Sequence, residues 1–452
     1  MSLTRQNLIV FFRKNSIYFV GALCLLISLG AIWYTTVAII LFLITIAVCS
    51  LFFDINKMLC LCSFSVFFDG TYRFWVFISF YISATIICLK DIILKRKSLE
   101  KYYLIPAAIF AYFFLTFFIV GFDINNYKAI AQIVAMIVFV SELFFLREDL
   151  DFVYIVKSLT TVLILSYICA IPFMLSDSGL TVYHDGEIKR YYGFIVHENA
   201  ISLICVLLSA FNVSLFYRKK ISKILFFLFI ACLLIMGVLS KSKSFMLGFL
   251  FVLIYYFVRL FIQDWKKGLV ELGVLALVIC ALFLFAYERV YIYLSRFWLY
   301  LADTDFLNMI TTGRIMIWEY VLSLWVASFA SIAIGYGGSF TLAEYPNAHN
   351  AIFDVLIKHG IVGLALMVLL FILFVKKSKG EKKWDINNYF ELGILGFLMM
   401  IEIFYSNVGL TMIMLVFISL FSPRSKEEQQ RQIMDSNQLT SVEKPVQMEV
   451  NK

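Results

Sequence analysis

Residues 222–263 read SKILFFLFIACLLIMGVLSKSKSFMLGFLFVLIYYFVRLFIQ. Two apolar runs, 222–240 and 244–262, are joined by a short polar connection, Ser240-Lys241-Ser242-Lys243-Ser244. Each run is close to the roughly 20 apolar residues that a membrane-spanning helix needs. The apolar residues are continuous and do not alternate, which excludes a closed β-barrel. Inside lipid only helices then satisfy every backbone N–H and C=O.

The same pattern extends in both directions. Further apolar runs lie near 16–30, 34–53, 58–68, 74–89, 104–121, 127–146, 152–175, 200–217, 268–286, 360–375, 388–404 and 407–422. The fold class is therefore an all-α polytopic membrane protein of about 12–14 transmembrane helices, with larger outward loops at about 176–199 and 287–359. Composition agrees: 62% of the 452 residues are hydrophobic, 48 are Phe, and mean hydropathy is +0.92. The net charge of +8 needs no nucleic acid, because Lys and Arg collect in alternate short loops as cytoplasmic loops require. Both termini are then inside. Residues 315–334 are apolar enough to span, but crossing there would place Lys376–Lys383 outside; they are expected to lie on or dip into the outer face. Basic Arg5, Arg13 and Lys14 precede an uncleaved first span. The nine cysteines sit in apolar runs without metal-ligand spacing and read as buried hydrophobes. Residues 1–422 form one multi-span domain, and 423–452 a polar cytoplasmic tail of disordered composition.

The outward face gathers Arg190, Lys241, Lys243, Arg289, Arg296 and Arg314 near the membrane surface. A complementary ligand is anionic with an apolar tail, as in a polyprenyl pyrophosphate: Arg offers a planar fork to phosphate oxygens and Lys a point charge. The bland alternative is that these cations snorkel to lipid headgroups. His349-Asn350 follows a Pro-bearing turn and opens a helix. Its imidazole suits a general base acting on a sugar hydroxyl at neutral pH, or else merely caps that helix. His197-Glu198-Asn199 likewise starts a span, where helix-start polarity explains it equally well; His184 and His359 read as structural. There is no G-x-x-x-x-G-K-[ST], H-E-x-x-H or G-x-S-x-G, and no outward D-x-D pair to hold a nucleotide sugar through a metal.

Several short elements occur in a set order: Thr312-Gly313-Arg314 with Trp318, Gly335-Tyr336-Gly337-Gly338, His349-Asn350, and Gly360-Ile361-Val362-Gly363. Together they resemble the signature region of the bacterial O-antigen polymerase (Wzy-type) and O-antigen ligase superfamily. Gly193–Asn199 resembles an earlier His-Pro-Asn element, with Glu198 in place of proline. Ser242-Lys243-Ser244 resembles a Ser-Arg-Ser/Gly element, with Lys replacing Arg. The resemblance covers roughly 190–365. It implies a glycosyltransferase of the bacterial inner membrane with a periplasmic site and an undecaprenyl-pyrophosphate-linked oligosaccharide donor. Arg314 and Lys243 would hold the pyrophosphate, helped by Arg190, Arg289 and Lys241; His349 would be the base or orient the acceptor, beside Asn350. Inversion is implied, with no metal or cofactor; a chain-length-regulating co-polymerase is a further partner such enzymes admit. Span number and length favour a polymerase over a ligase. A lipid-linked oligosaccharide flippase would show two similar halves, which this chain lacks.

Overall fold

The computed structural model describes residues 5–72, 86, 89–90, 93–94, 104–119, 150–179, 181–185, 188–195, 197–285, 313–338, 340–342, 348–381, 384–402 and 407–421. The described chain is helical apart from one hairpin. In order it forms α1 (Arg5–Ala31), α2 (Thr35–Phe52), α3 (Ile55–Phe67), α4 (Asp69–Tyr72), α5 (Leu104–Ile119) and α6 (Phe152–Leu175). After the antiparallel strands β1 (Val182–Asp185) and β2 (Ile188–Tyr191) come α7 (Glu198–Tyr217), α8 (Lys223–Leu239), α9 (Lys243–Gln263) and α10 (Trp265–Phe285). The remainder is α11 (Arg314–Trp325), α12 (Phe329–Ile334), α13 (Ala351–Glu381), α14 (Ile386–Met399) and α15 (Asn407–Phe421).

Six of these helices are long and apolar enough to cross a membrane: α1 from Phe11, α2, α6, α7, α9, and α13 to Gly380. Shorter apolar helices, including α3 and α8, fill the body between them. The expected runs at 74–89 and 127–146 fall largely or wholly outside the described residues. Segment 315–334 is not one span. It breaks after Trp325, and Ser328 starts α12 with a reciprocal cap to Ser331, leaving helices of 12 and 6 residues that are each too short to cross.

The body is built around α7, which is buried on nearly every side. Small and hydroxylated residues (Ala200, Ser202, Cys205, Ser209, Ala210, Ser214) let α6, α8, α9, α14 and α15 pack closely against it. Its chemistry therefore lies at its two ends. At one end stand the starts of α7, α9 and α13; at the other, the C-terminus of α7 meets the start of α14.

A second, smaller core sits at the first end. Ile317, Val321, Leu342, Ala348 and Ile357 pack with Tyr336 and Phe353, joining α11 and α12 to α13. The junction requires glycine. Gly335 (φ 72°) and Gly360 (φ 63°) are left-handed, and a Cβ on either would lie within 2.6 Å of opposing backbone atoms. At Gly360 the helix α13 breaks. The freed carbonyls of Ile357 and Lys358 accept instead from the amides of Tyr336 and Gly337, both at 2.9 Å. Thus the Gly335–Gly338 and Gly360–Gly363 elements, distant in sequence, are two halves of one joint.

Candidate functional site

Beside that joint, the short loop into α13 holds His349 in a left-handed conformation (φ 46°), unusual for a residue with a Cβ. The helix is capped by its neighbour: the Asn350 side-chain oxygen accepts from the amides of Ile352 (2.9 Å) and Phe353 (3.2 Å). The Asn350 amide nitrogen donates to the Met400 carbonyl at 3.2 Å, and the residue is fully buried. Asn350 is thus engaged by protein rather than presented to a ligand, and it does the capping that left His349's role open.

Arg314 is the first residue of α11 and follows Gly313 in the left-handed region (φ 78°). Trp318, one turn on, donates its indole N–H to the Ala348 carbonyl at 3.1 Å and stacks on Phe353. That contact ties the helix carrying Arg314 to the loop carrying His349. Burial, followed by the nearby Arg314 guanidinium and His197, pushes the His349 imidazole down to about 4. The ring is therefore neutral at pH 7. Burial also lowers the pKa of Arg314, while Glu402, just beyond α14, pulls the other way; an arginine remains charged throughout.

The two His-Asn elements converge here. His197 caps α7, its Nδ1 accepting from the Ala200 amide at 3.2 Å. Asn199 in the first turn accepts from Ser242 Oγ (2.9 Å), and Ser202 meets Ser240 at 2.8 Å. The alternation in Ser240–Ser244 now has a physical meaning. Ser240 and Ser242 are buried and fasten the turn to α7, while Lys241 (φ 52°) and Lys243 are exposed. Arg190, on β2 opposite Tyr183, donates to Glu198 at 3.3 Å. Arg289 and Arg296 lie outside the described residues.

Sequence reasoning passed over Glu402 and treated Glu198 only as a replacement for proline. Glu402 is one of two acids, with Glu391, within the apolar stretch 388–404, and that was the available signal, since intramembrane carboxylates are costly unless partnered. In sum, the starts of α11 and α13 and the cap of α7 meet around a neutral imidazole, with Glu402 near Arg314, and the start of α9 is tied to α7 through Ser242 and Asn199. Helix N-termini and cations together favour a polyanion. Among the described residues no group of three or more His, Cys, Asp or Glu is placed to hold a metal ion.

No curated protein matches the chain. Residues 227–368 match the family model Wzy_C, described as O-Antigen ligase. The match takes in Lys241, Lys243, Arg314, the glycine joint and His349-Asn350, and leaves out Arg190 and His197. Over residues 227–368, about a third of its length, the chain is thus similar to the Wzy_C family.

Proposed function

We propose that the chain is an O-antigen polymerase of the bacterial inner membrane, joining undecaprenyl-pyrophosphate-linked oligosaccharide repeat units by inverting, metal-independent glycosyl transfer. The observation that carries this is the neutral His349 held beside Arg314 where α11 and α13 begin, with the α7 cap His197 close by. The opposite end of the bundle carries Arg218, Lys219, Lys220, Lys266, Lys267, Lys376 and Lys377. By the positive-inside rule that end is cytoplasmic and the site is periplasmic.

In this scheme Arg314, Lys243 and Lys241 hold the pyrophosphate, with Arg190 and Arg289 at the margin. Their charges stabilise the negative charge that grows on the leaving pyrophosphate. The acceptor hydroxyl attacks the anomeric carbon from the opposite face, and its proton passes to His349. A base with a pKa near 4 is weak, and burial is the larger cause of that value. A bound pyrophosphate offsets the second cause, the Arg314 charge, so His349 becomes more basic once the donor is in place. Asn350 sets the loop. Glu402 holds Arg314 in position through charge.

A second reading has its own support: the matching family model is described as O-Antigen ligase. A ligase would use the same site to pass glycan to lipid A–core. The lipopolysaccharide gel of a deletion strain tests the two. Core carrying a single repeat unit is the expected outcome for a polymerase. Unmodified core, with polymer still on the lipid carrier, would establish the ligase.

A further inference from the structure

The glycine joint has a third member, contributed by a helix outside the 227–368 domain. The amide of Gly338 donates to the backbone carbonyl of Thr116, in α5, at 3.2 Å. The hydroxyl of the same Thr116 lies 2.5 Å from Nδ1 of His359, the residue before the break at Gly360. Both side chains are fully buried. Around them, the Phe113 ring packs on the His359 imidazole at 4.6 Å, and the Tyr112 hydroxyl donates to the His359 carbonyl at 3.3 Å. Thr116 thus touches both halves of the joint, through its carbonyl on one side and its hydroxyl on the other.

The hydrogen bonding has a direction. A hydroxyl carries one hydrogen, and Thr116 is placed to give it to the Phe113 carbonyl at 2.7 Å. The same oxygen keeps lone pairs for His359, so the tautomer with its hydrogen on Nδ1 is the one that completes both bonds. In an apolar surrounding, removing one partner leaves the other polar group buried without its bond, which is costly. The pair therefore favours one arrangement of α5, the Gly335–Gly338 turn and the Gly360 break. That arrangement fixes where α13 begins relative to α11, hence where His349 stands relative to Arg314.

We infer that Thr116 and His359 form a positioning pair for the site, so that α5 is a working part of the enzyme although it lies outside the family-matched region. Neither residue reaches the reacting atoms; each acts through the joint. The kinetic consequence rests on the function proposed above, whereas the structural consequence does not.

The test compares full-length wild type, Thr116→Val and Thr116→Ser in lipid nanodiscs. One arm follows glycan transfer from a polyprenyl-pyrophosphate oligosaccharide. The other follows hydrogen exchange of the Tyr336, Gly337 and Gly338 amides. Thr116→Val keeps the shape and removes the hydroxyl. It should lower kcat about 10- to 100-fold, as small misplacements of catalytic groups do, with KM within about threefold of wild type. Exchange should quicken at the three amides but not around Arg218 and Asp385. Thr116→Ser should restore both. Unchanged kcat and exchange in Thr116→Val would overturn the inference. So would faster exchange along the whole chain without rescue by serine, which marks a merely structural threonine. A wild type that transfers no glycan, with the local exchange response intact, would refute the proposed function and still support the pair.

Discussion

The two ends of α7 are both polar, and they are polar in opposite ways. At the C-terminal end, Arg218 donates twice to Asp385 (3.1 and 3.2 Å) and once to the buried Glu391 (3.1 Å), which also meets Ser419. Asp385 caps α14 reciprocally with Asn388, and Asn387 accepts from Tyr255. Burial pushes the Asp385 carboxyl up, yet Arg218 and the helix cap hold it down to about 2. Arg218, Asp385 and Glu391 there answer one another. At the N-terminal end, Arg314 stands beside a histidine, and that histidine is neutral first because it is buried and then because of the Arg314 charge. Lys241 and Lys243 are exposed, with the buried Ser240 and Ser242 fastening their turn to α7. One end is an ion network that fastens helices; the other, in the function proposed above, receives an anion from outside. Perturbed ionisation alone does not tell them apart, since both ends have it.

The largest effect should come from His349, and it would break the comparison if it failed to appear. Removing a general base costs about 100- to 10,000-fold, so His349→Ala should leave core with at most one repeat unit. His197→Ala, which removes a cap on α7, should retain a ladder on the same gel. His349→Gln still forms hydrogen bonds but accepts no proton at neutral pH; near-normal polymer from it would reduce His349 to an orienting group. The pH profile sharpens the point. In the free protein His349 protonates only near pH 4, so the acid limb of kcat/KM should lie near that value. With donor bound, Arg314 is neutralised and the pKa rises, so the acid limb of kcat should lie at higher pH. Coincident limbs would show that the donor does not touch the charge that depresses His349.

Smaller effects are expected at the exposed lysine. Lys243→Glu sets a like charge against the phosphates and should cost about tenfold or more. Lys243→Arg keeps the charge, adds a fork and should stay within about threefold. Transfer assays at matched expression measure both. An active Lys243→Glu protein would make this residue an interfacial anchor and leave the N-terminal end less distinct from the rest of the surface.

How far the molecule was legible from sequence follows from what each feature depends on. The helical fold was readable because hydrocarbon compels it: a run such as 222–240 has no other way to satisfy its backbone. The break inside 315–334 was partly readable, because charge parity argued against a crossing there; the stop itself is the Ser328–Ser331 cap. The hairpin at 182–191 was passed over, though Asp185-Gly186 between short strands is a recognisable turn signal. At the site, residue types and order pointed to Arg314, His349 and Lys243. Pairing did not follow from them. That Asn350 caps while His349 does not, that Glu402 joins Arg314, and that Gly335 backs onto Gly360 are consequences of tertiary packing between segments far apart in sequence.

The contrast between the ends is tested most directly by one paired measurement: transfer activity per folded molecule and melting temperature for Arg314→Ala and Arg218→Ala, side by side in nanodiscs. Arg314→Ala should lose about 100- to 1000-fold in activity, as expected for a lost charge-stabilising donor, with its melting temperature close to wild type. Arg218→Ala leaves Asp385 and Glu391 facing each other without their cation. It should lose about 3–5 kcal/mol of stability while its surviving molecules transfer glycan at near the wild-type rate. The reverse pattern, in which Arg314→Ala melts early and works normally while Arg218→Ala folds normally and fails to transfer, would place the working site at the other end of α7.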